Sequence, residues 1–216
     1  SNRADARFYQ EHPDWFTVDT EGNPYTAGPF YVSCIHGPYY DEFLPDILRE
    51  IIGRYHPDGF AGNSWSGLTS GRICYCDNCA RSFRDRRSSG LPKAVDWDDS
   101  AYRDWIKWNY QRRLDIWDLN NRVARELGGT DCLWIGMHSG NIYQQSQRFR
   151  DNKGICERSE MVLLDHQTRL SASGFQSNGG AGKLIHGLIG WDRLVPESMA
   201  MYQSREPTFR LSSRPE

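Results

Sequence analysis

The stretch "RICYCDNCARSF" (residues 72–83) holds three cysteines close together, Cys74, Cys76 and Cys79. The spacing C-x-C-x2-C admits three interpretations. Disulfides are one, but Cys74 and Cys76 are too close to pair comfortably with each other, and three thiols leave one in need of a distant partner. A nucleophilic or redox cysteine is the second, but it would need a nearby base, and the local sequence offers arginines and no histidine.

Metal binding fits the spacing best, because a tetrahedral zinc ion takes four thiolates from short loops and this stretch supplies three of them. For the fourth ligand we favour Cys34, at the end of the preceding apolar run, and we interpret Cys132 and Cys156 as ordinary thiols. A site closed by four cysteines leaves no open coordination position, so the zinc would be structural. The predicted ligands are Cys34, Cys74, Cys76 and Cys79.

Apolar runs alternate with helical patterns along the chain. Strand-like runs occur at residues 29–35, 57–63, 131–137 and 161–165, with weaker ones at 198–203 and 208–213. Helical periodicity marks residues 43–55 and 102–127, whereas "SNGGAGK" (residues 177–183) is interpreted as a flexible loop. Strands separated by helices predict an α/β fold with a parallel sheet, whose ligand site lies past the carboxyl ends of the strands.

The number of strands bears on the domain organisation. We count about six, fewer than an eight-stranded barrel needs, and the first 29 residues resemble a connection rather than a domain start. We therefore expect residues 1–216 to form a single domain, a TIM (β/α)8 barrel that is incomplete in this sequence. One or two strands would precede residue 1, and a zinc-binding loop insertion would occupy about residues 64–99.

Charge and composition narrow the class of partner. The chain has 26 basic and 28 acidic residues and no long run of like charge, and no apolar stretch approaches the roughly 20 residues of a membrane span. Eight Trp, eleven Tyr and nine Phe suit a polar cleft walled by aromatic rings. We expect a carbohydrate substrate and neither nucleic acid nor membrane as partner. A homo-oligomer, and either a cytoplasmic or an exported location, are compatible with the sequence.

Three segments in order carry a resemblance to a known family. They are "YVSC" (residues 31–34), "GNSW" (residues 62–65) and "CYCDNCARSF" (residues 74–83). Their order resembles the zinc-containing β-galactosidase family of glycoside hydrolases, and related uncharacterised barrel hydrolases, over residues 30–84. "LWIGMHSG" and "LLDHQTR" are more loosely similar. The resemblance implies a TIM barrel, zinc held by the four cysteines named above, and a sugar site at the C-terminal mouth.

One position departs from the family pattern. In those β-galactosidases the fourth strand ends in Asn-Glu and the Glu is the general acid/base, whereas here Asn63 is followed by Ser64. Serine cannot protonate a leaving glycosidic oxygen near neutral pH. One hypothesis is a glycoside hydrolase, β-galactosidase-like or α-fucosidase-like, that takes its acid from another strand. The alternative is a carbohydrate-binding barrel that has lost this chemistry. A third hypothesis, a zinc-dependent hydrolase acting on another substrate, would need an open metal site.

Asp165 is the carboxylate best placed for catalysis, because it closes the apolar run "MVLL" at the predicted barrel mouth. Its alternative role is to cap a following helix or to pair with Arg169. Candidate partner carboxylates are Glu157, Glu160 and Glu216.

Several polar and aromatic side chains follow the predicted strands and could contact a sugar. Histidines there could hydrogen-bond hydroxyl groups, although a structural role is the default for any one of them, and a tryptophan could stack on a pyranose ring. The tryptophans of the long helix, Trp105, Trp108 and Trp117, are interpreted as packing residues. The predicted substrate-binding residues are His36, Asn63, Trp65, His138, His166 and Gln167.

Overall fold

The computed structural model describes residues 3–62, 67–87, 90–139, 141–165, 169–170, 174–175 and 179–196. The chain divides into two compact units. The first comprises Ser1–Trp134 and Tyr143–Asp151, and the second comprises Ile135–Ile142 and Asn152–Glu216. Among the described residues, no helix is long and apolar enough to cross a membrane. The expectation of a single domain over residues 1–216 stays a prediction.

A small antiparallel sheet opens the first unit. β1 (Arg3–Ala4) leads into α1 (Ala6–Glu11), and β2 (Thr26–Ala27) pairs with β3 (Phe30–Val32), which lies in the middle of the sheet. The run at residues 29–35 therefore forms a strand, but its predicted place in a parallel sheet is wrong. The reason is the two-residue connection between β2 and β3, where Gly28 adopts a φ of 61° that suits a tight hairpin.

Helices make up most of the remaining first unit. Two of them confirm the helical periodicity at residues 43–55 and 102–127. The elements in order are a 3-10 turn (Pro13–Trp15), a π-helical turn (Tyr39–Phe43), α2 (Leu44–Tyr55), β4 (Gly59–Gly62), α3 (Asp77–Arg87) and α4 (Ser100–Gly128). α4 begins after Asp99, whose side chain accepts a hydrogen bond from the Ala101 N–H, and ends at Gly129 with a φ of 88°.

The buried face of α4 organises the core of the first unit. Trp105, Trp108 and Trp117 are at most 4% exposed, in agreement with the packing role predicted for them. Phe83 of α3 meets Trp108 edge to face, with ring centroids 5.2 Å apart. Through this contact α3, which carries part of the cysteine stretch, is fixed against the long helix.

A later segment returns to the same core. α5 (Ile142–Gln147) is followed by Phe149, which is 1% exposed and packs edge to face on Trp105 at 5.3 Å. Phe149 has a φ of 59°, a left-handed conformation that is unfavourable for a bulky residue. Burial of its ring against α4 offsets that strain.

The second unit contains a parallel sheet. The sheet has four strands in the order β4-β5-β6-β9, where β5 (Leu133–Ser139) begins in the first unit and is followed by β6 (Val162–Asp165) and β9 (Leu194–Pro196). β5 pairs with β6 and β6 with β9, both in parallel. The strands predicted at residues 131–137 and 161–165 are thus confirmed. The weaker predictions at 198–203 and 208–213 lie outside the described residues.

Helices cover one face of this sheet. The remaining elements of the unit are α6 (Asn152–Arg158), β7 (Arg169–Leu170), β8 (Gly174–Phe175) and α7 (Gly179–Ile189). α7 contradicts the flexible loop predicted at residues 177–183 from residue 179 onwards, and residues 177 and 178 lie outside the described residues. Glycine costs about 1 kcal/mol in a helix, but Ile185 and Ile189, one turn apart, are buried against Val162 and Leu164 and outweigh that cost.

The two faces of α7 should respond differently to truncation. Ile185→Ala removes a side chain that is 0% exposed and should lower the free energy of unfolding by about 2–5 kcal/mol. Leu188→Ala, at a position 39% exposed, should cost less than about 0.5 kcal/mol. Urea denaturation followed by circular dichroism measures both. Equal effects of the two substitutions would contradict the packing of α7 on the sheet.

Candidate metal centre

Four cysteine sulfurs converge in the first unit. The Sγ atom of Cys34 lies 3.4 Å from that of Cys79, 3.5 Å from that of Cys76 and 3.9 Å from that of Cys74. All four sulfurs lie within 4.8 Å of one another, and the residues are at most 8% exposed. The structure therefore brings together the four cysteines that the sequence singled out.

Local structure explains the convergence. Cys34 comes two residues after β3, while Cys76 and Cys79 flank the start of α3, where the Cys76 carbonyl accepts a hydrogen bond from the Ala80 N–H at 2.9 Å. Residues three apart at a helix start lie on the same face. The C-x2-C spacing thus directs two thiols towards Cys34, and Cys74 joins them from the preceding loop.

Hydrogen bonds hold the cysteine loop in place on both sides. The Tyr75 N–H donates to the Val18 carbonyl at 2.9 Å, and the Asn78 side-chain amide donates to the Asp14 carbonyl at 2.9 Å. Both acceptors belong to the N-terminal segment of the first unit. The positions of the thiols are therefore fixed by the surrounding chain as well as by their own contacts.

The geometry fits a tetrahedral metal ion. Metal–sulfur bonds of about 2.3 Å at tetrahedral angles place sulfurs roughly 3.8 Å apart, and the distances from Cys34 bracket that value. All six cysteines are free thiols, so the disulfide interpretation is not realised in this structure. A cavity of about 20 Å³, bordered in part by Cys34, Cys74 and Cys79, has room for one small species.

The thiols influence one another's protonation. Hydrogen bonds from Cys34, Cys74 and Cys79 lower the pKa of Cys76, whereas hydrogen bonding to Cys74 and Cys76 raises the pKa of Cys34. The pKa of Cys79 is raised, chiefly by its hydrogen bond with Cys34. Without a cation the cluster thus favours one thiolate and opposes further negative charge. A bound cation would remove that opposition, which is the electrostatic condition for four thiolate ligands.

His36 borders this centre but is engaged by α4. Its ring stacks on Trp108, with centroids 3.5 Å apart and planes 7° from parallel, and its Nε2 lies 3.2 Å from Asn109 Oδ1. The backbone N–H of His36 donates to the Cys34 sulfur at 3.4 Å. Burial is the main cause that holds the pKa of His36 well below its usual value. These contacts favour a structural role, and sugar binding by His36 stays a prediction.

The second unit holds two further predicted site residues. His138 of β5 is 2% exposed, and its Nδ1 lies 3.2 Å from Asn152 Oδ1 at the start of α6. It therefore belongs to the face of the sheet covered by helices, which favours packing. Asp165 is the last residue of β6 and pairs in register with Ser139. Asn63, Ser64, Trp65, His166 and Gln167 lie outside the described residues.

Sequence reasoning missed the buried polar residues of α4. Asn109, Arg113 and Asn120 are 3%, 1% and 2% exposed. They interrupt the apolar stripe of the helix at positions where its periodicity requires a buried side chain. That interruption was the available signal, because polar residues on a buried face need a partner.

Solved structures identify the class of fold. The cold-adapted β-galactosidase from Rahnella sp. R3 matches 99% of this chain and 36% of its own, with a TM-score of 0.62 at 15% identity. The β-galactosidase from Bacillus circulans sp. alkalophilus matches 87% and 32%, with a TM-score of 0.61 at 18% identity. The PgaB (BpsB) glycoside hydrolase domain from Bordetella bronchiseptica matches 86% and 54%, with a TM-score of 0.60 at 13% identity. The fold is thus α/β, of the TIM-barrel class as predicted, and incomplete in this chain.

The family follows from the sequence. The model of the glycoside hydrolase family 42 β-galactosidases matches residues 5–127, more than half of the chain, and the chain belongs to this family. β-Galactosidase LacZ from Lactobacillus acidophilus is 21% identical over a 178-residue alignment, which covers 78% of this chain and 25% of that protein. The chain spans about a quarter of the length of this curated relative. The resemblance noted from residues 30–84 is confirmed.

The contact between Asn109 and His36 can be tested by substitution. Asn109→Ala removes a side chain that also donates to the Trp105 carbonyl at 2.8 Å, and it should lower the free energy of unfolding by about 1–3 kcal/mol. Gln111→Ala, which loses one hydrogen bond to Asp115 on the same helix, should cost about 0.5 kcal/mol or less. Chemical denaturation compares them. If Asn109→Ala left the free energy of unfolding unchanged, these hydrogen bonds would make no net contribution to stability.

Proposed function

We propose that this chain is part of a glycoside hydrolase that cleaves O-glycosidic bonds of a carbohydrate, with β-galactosidase-like or α-fucosidase-like specificity. Its membership of the β-galactosidase family over residues 5–127 is the observation that carries the proposal. The parallel sheet of β5, β6 and β9 supports it, because ligands of such sheets bind past the carboxyl ends of the strands.

Asp165 is the proposed catalytic carboxylate. It is the last residue of β6, at the strand end where TIM-barrel enzymes carry their catalytic groups. Glycosidases act through a pair of carboxyl groups and an oxocarbenium-like transition state, which a carboxylate at this edge would stabilise or attack. The proposed sugar ligands are His36, Asn63, Trp65, His138, His166 and Gln167, and the burial of His36 and His138 suits support of the neighbouring loops.

A carbohydrate-binding barrel without hydrolysis is the second candidate. The specific observation in its favour is Ser64, which follows Asn63 where the family pattern has the acid/base glutamate. A serine hydroxyl is too weak an acid to protonate the leaving group at neutral pH, so a binder would keep the cleft and lose the reaction. Both candidates would bind a sugar, but only the hydrolase would cleave it.

The four-cysteine centre is proposed to hold a structural zinc ion. Zinc accepts four thiolates in tetrahedral geometry, and the sulfur distances around Cys34 suit it. With all four positions taken by protein, the ion would polarise no substrate. Its contribution would be to the stability of the loop that carries Cys74, Cys76 and Cys79.

Hydrolysis is tested with a panel of chromogenic glycosides and the full-length protein. We expect turnover of a β-galactoside, an α-fucoside or an α-arabinoside, and a fall in kcat of at least about a hundredfold in Asp165→Asn. Asp192→Asn, at an exposed turn, is the matched control and should keep full activity. Sugar binding by calorimetry without turnover, from folded and metal-loaded protein, would favour the binding barrel.

Zinc is tested by metal analysis of cysteine variants. The purified protein should contain one zinc ion per chain, and Cys79→Ser should lose it together with about 3–5 kcal/mol of stability, because buried charges lose their partner. Cys156→Ser, buried outside the cluster, should retain the metal. Exchange of zinc for cadmium should leave kcat within about twofold if the ion is structural. Metal retention by Cys79→Ser would refute the site.

A further inference from the structure

Arg113 lies in the middle of α4 with a side chain that is 1% exposed. Among the residues that the structure describes, its buried Nε and Nη2 atoms have no acceptor within full hydrogen-bond geometry, although the nearby phenol of Tyr40 raises the pKa of Arg113. The N–H groups of these two atoms point in parallel from one edge of the guanidinium plane. That edge is the fork with which arginine binds both oxygens of a carboxylate.

The charges around Arg113 do not neutralise it. No carboxylate of the described residues forms an ion pair with it, and the carboxylate of Asp41 pairs at 2.8 Å with the neighbouring Arg112 instead. Burial lowers the pKa of Arg113, the phenol of Tyr40 opposes that shift, and the cations Arg148 and Arg112 add to it. Arginine nevertheless stays charged in proteins, and a buried charge without a counter-ion costs several kcal/mol.

Gly67 lies close against the guanidinium group of Arg113. A Cβ at this position would lie 2.8 Å from Arg113 Nη2 and 3.6 Å from Ile35 Cγ2. The φ of Gly67 is not in the left-handed region, so the backbone alone does not demand glycine here. Glycine is therefore needed at position 67 because any Cβ would collide with Nη2, one of the two donors of the fork.

We propose that Arg113 Nε and Nη2 bind a carboxylate ligand beside Gly67, either a small carboxylate or the carboxyl group of a sugar acid. A planar anion with two oxygens satisfies both donors at once, whereas a monatomic anion presents a single atom to the fork. The site is shielded from solvent, which strengthens a charge-assisted hydrogen bond. Binding here does not depend on the proposed hydrolysis or on the metal.

The test is thermal unfolding of the full chain at constant ionic strength. Sodium formate, sodium galacturonate, neutral galactose and sodium chloride are titrated separately. We expect a saturable rise in Tm of about 5–10 °C at a hundredfold excess over Kd with formate or galacturonate, and none with galactose. A response to galacturonate at lower concentration than to formate assigns a sugar acid; a response to formate alone assigns a small carboxylate.

Three variants locate the response. Arg113→Lys keeps the charge without the fork, and Gly67→Ala places a methyl group against Nη2, so each should weaken the carboxylate response at least tenfold. Gly71→Ala is the matched control, because a Cβ there would meet only Thr69 Oγ1 at 3.9 Å, and it should respond like the unmodified chain. If Arg113→Lys does not fold, as judged by circular dichroism, Gly67→Ala decides.

Three results would overturn the proposal. The first is the absence of a saturable carboxylate response in the unmodified chain. The second is an equal response in Gly67→Ala, which would show that the carboxylate does not bind at Nη2 beside position 67. The third is chloride acting as strongly as formate at the same ionic strength, which would replace the carboxylate with a monatomic anion.

Discussion

The contact between Cys34 and the three cysteines of the α3 loop is the constraint on which the first unit depends. It joins the end of β3 to a segment 40 residues further along the chain, where the loop itself has little regular structure before α3 begins. The sulfurs belong to the same buried cluster as Phe83, Trp105 and Trp108. The cysteine loop, α3 and α4 thus share one core. Thiols rather than aliphatic side chains form the centre of that core.

α4 buries both apolar and polar side chains on the same face. Its tryptophans bury large apolar rings, while Asn109 and Arg113 bring hydrogen-bonding groups to the same face. Asn109 uses both ends of its amide, on His36 and on the Trp105 carbonyl, and so satisfies its own desolvation. Among the described residues Arg113 has no comparable set of partners, so the cost of its desolvation is less well compensated than that of Asn109.

The sequence predicted the parts of the fold that rest on strong local patterns. The periodicity of α4, the apolar runs of β5 and β6, and the cysteine spacing each depend on residues close in sequence. The pairing direction of β3 was mispredicted because it is decided by the turn at Gly28 and not by the apolar run itself. α7 was missed because its glycines disfavour a helix in the sequence alone. The helix is stabilised only when Ile185 and Ile189 pack against the sheet. Arg113 was overlooked because the sequence signals its burial only through an interrupted apolar stripe and does not show which acids lie near it.

The order in which the cysteines leave the ribosome follows from their positions. Cys34 is made first, and its three partners follow within a short interval once about 40 further residues have been added. The sulfur cluster can therefore assemble before β6 and α7 have been translated. Phe149, which borders the same cavity, is translated after the four cysteines and before β6. Between those two moments the nascent chain contains all four thiols while the ring of Phe149 is still missing, so one wall of the cavity beside the sulfurs is open.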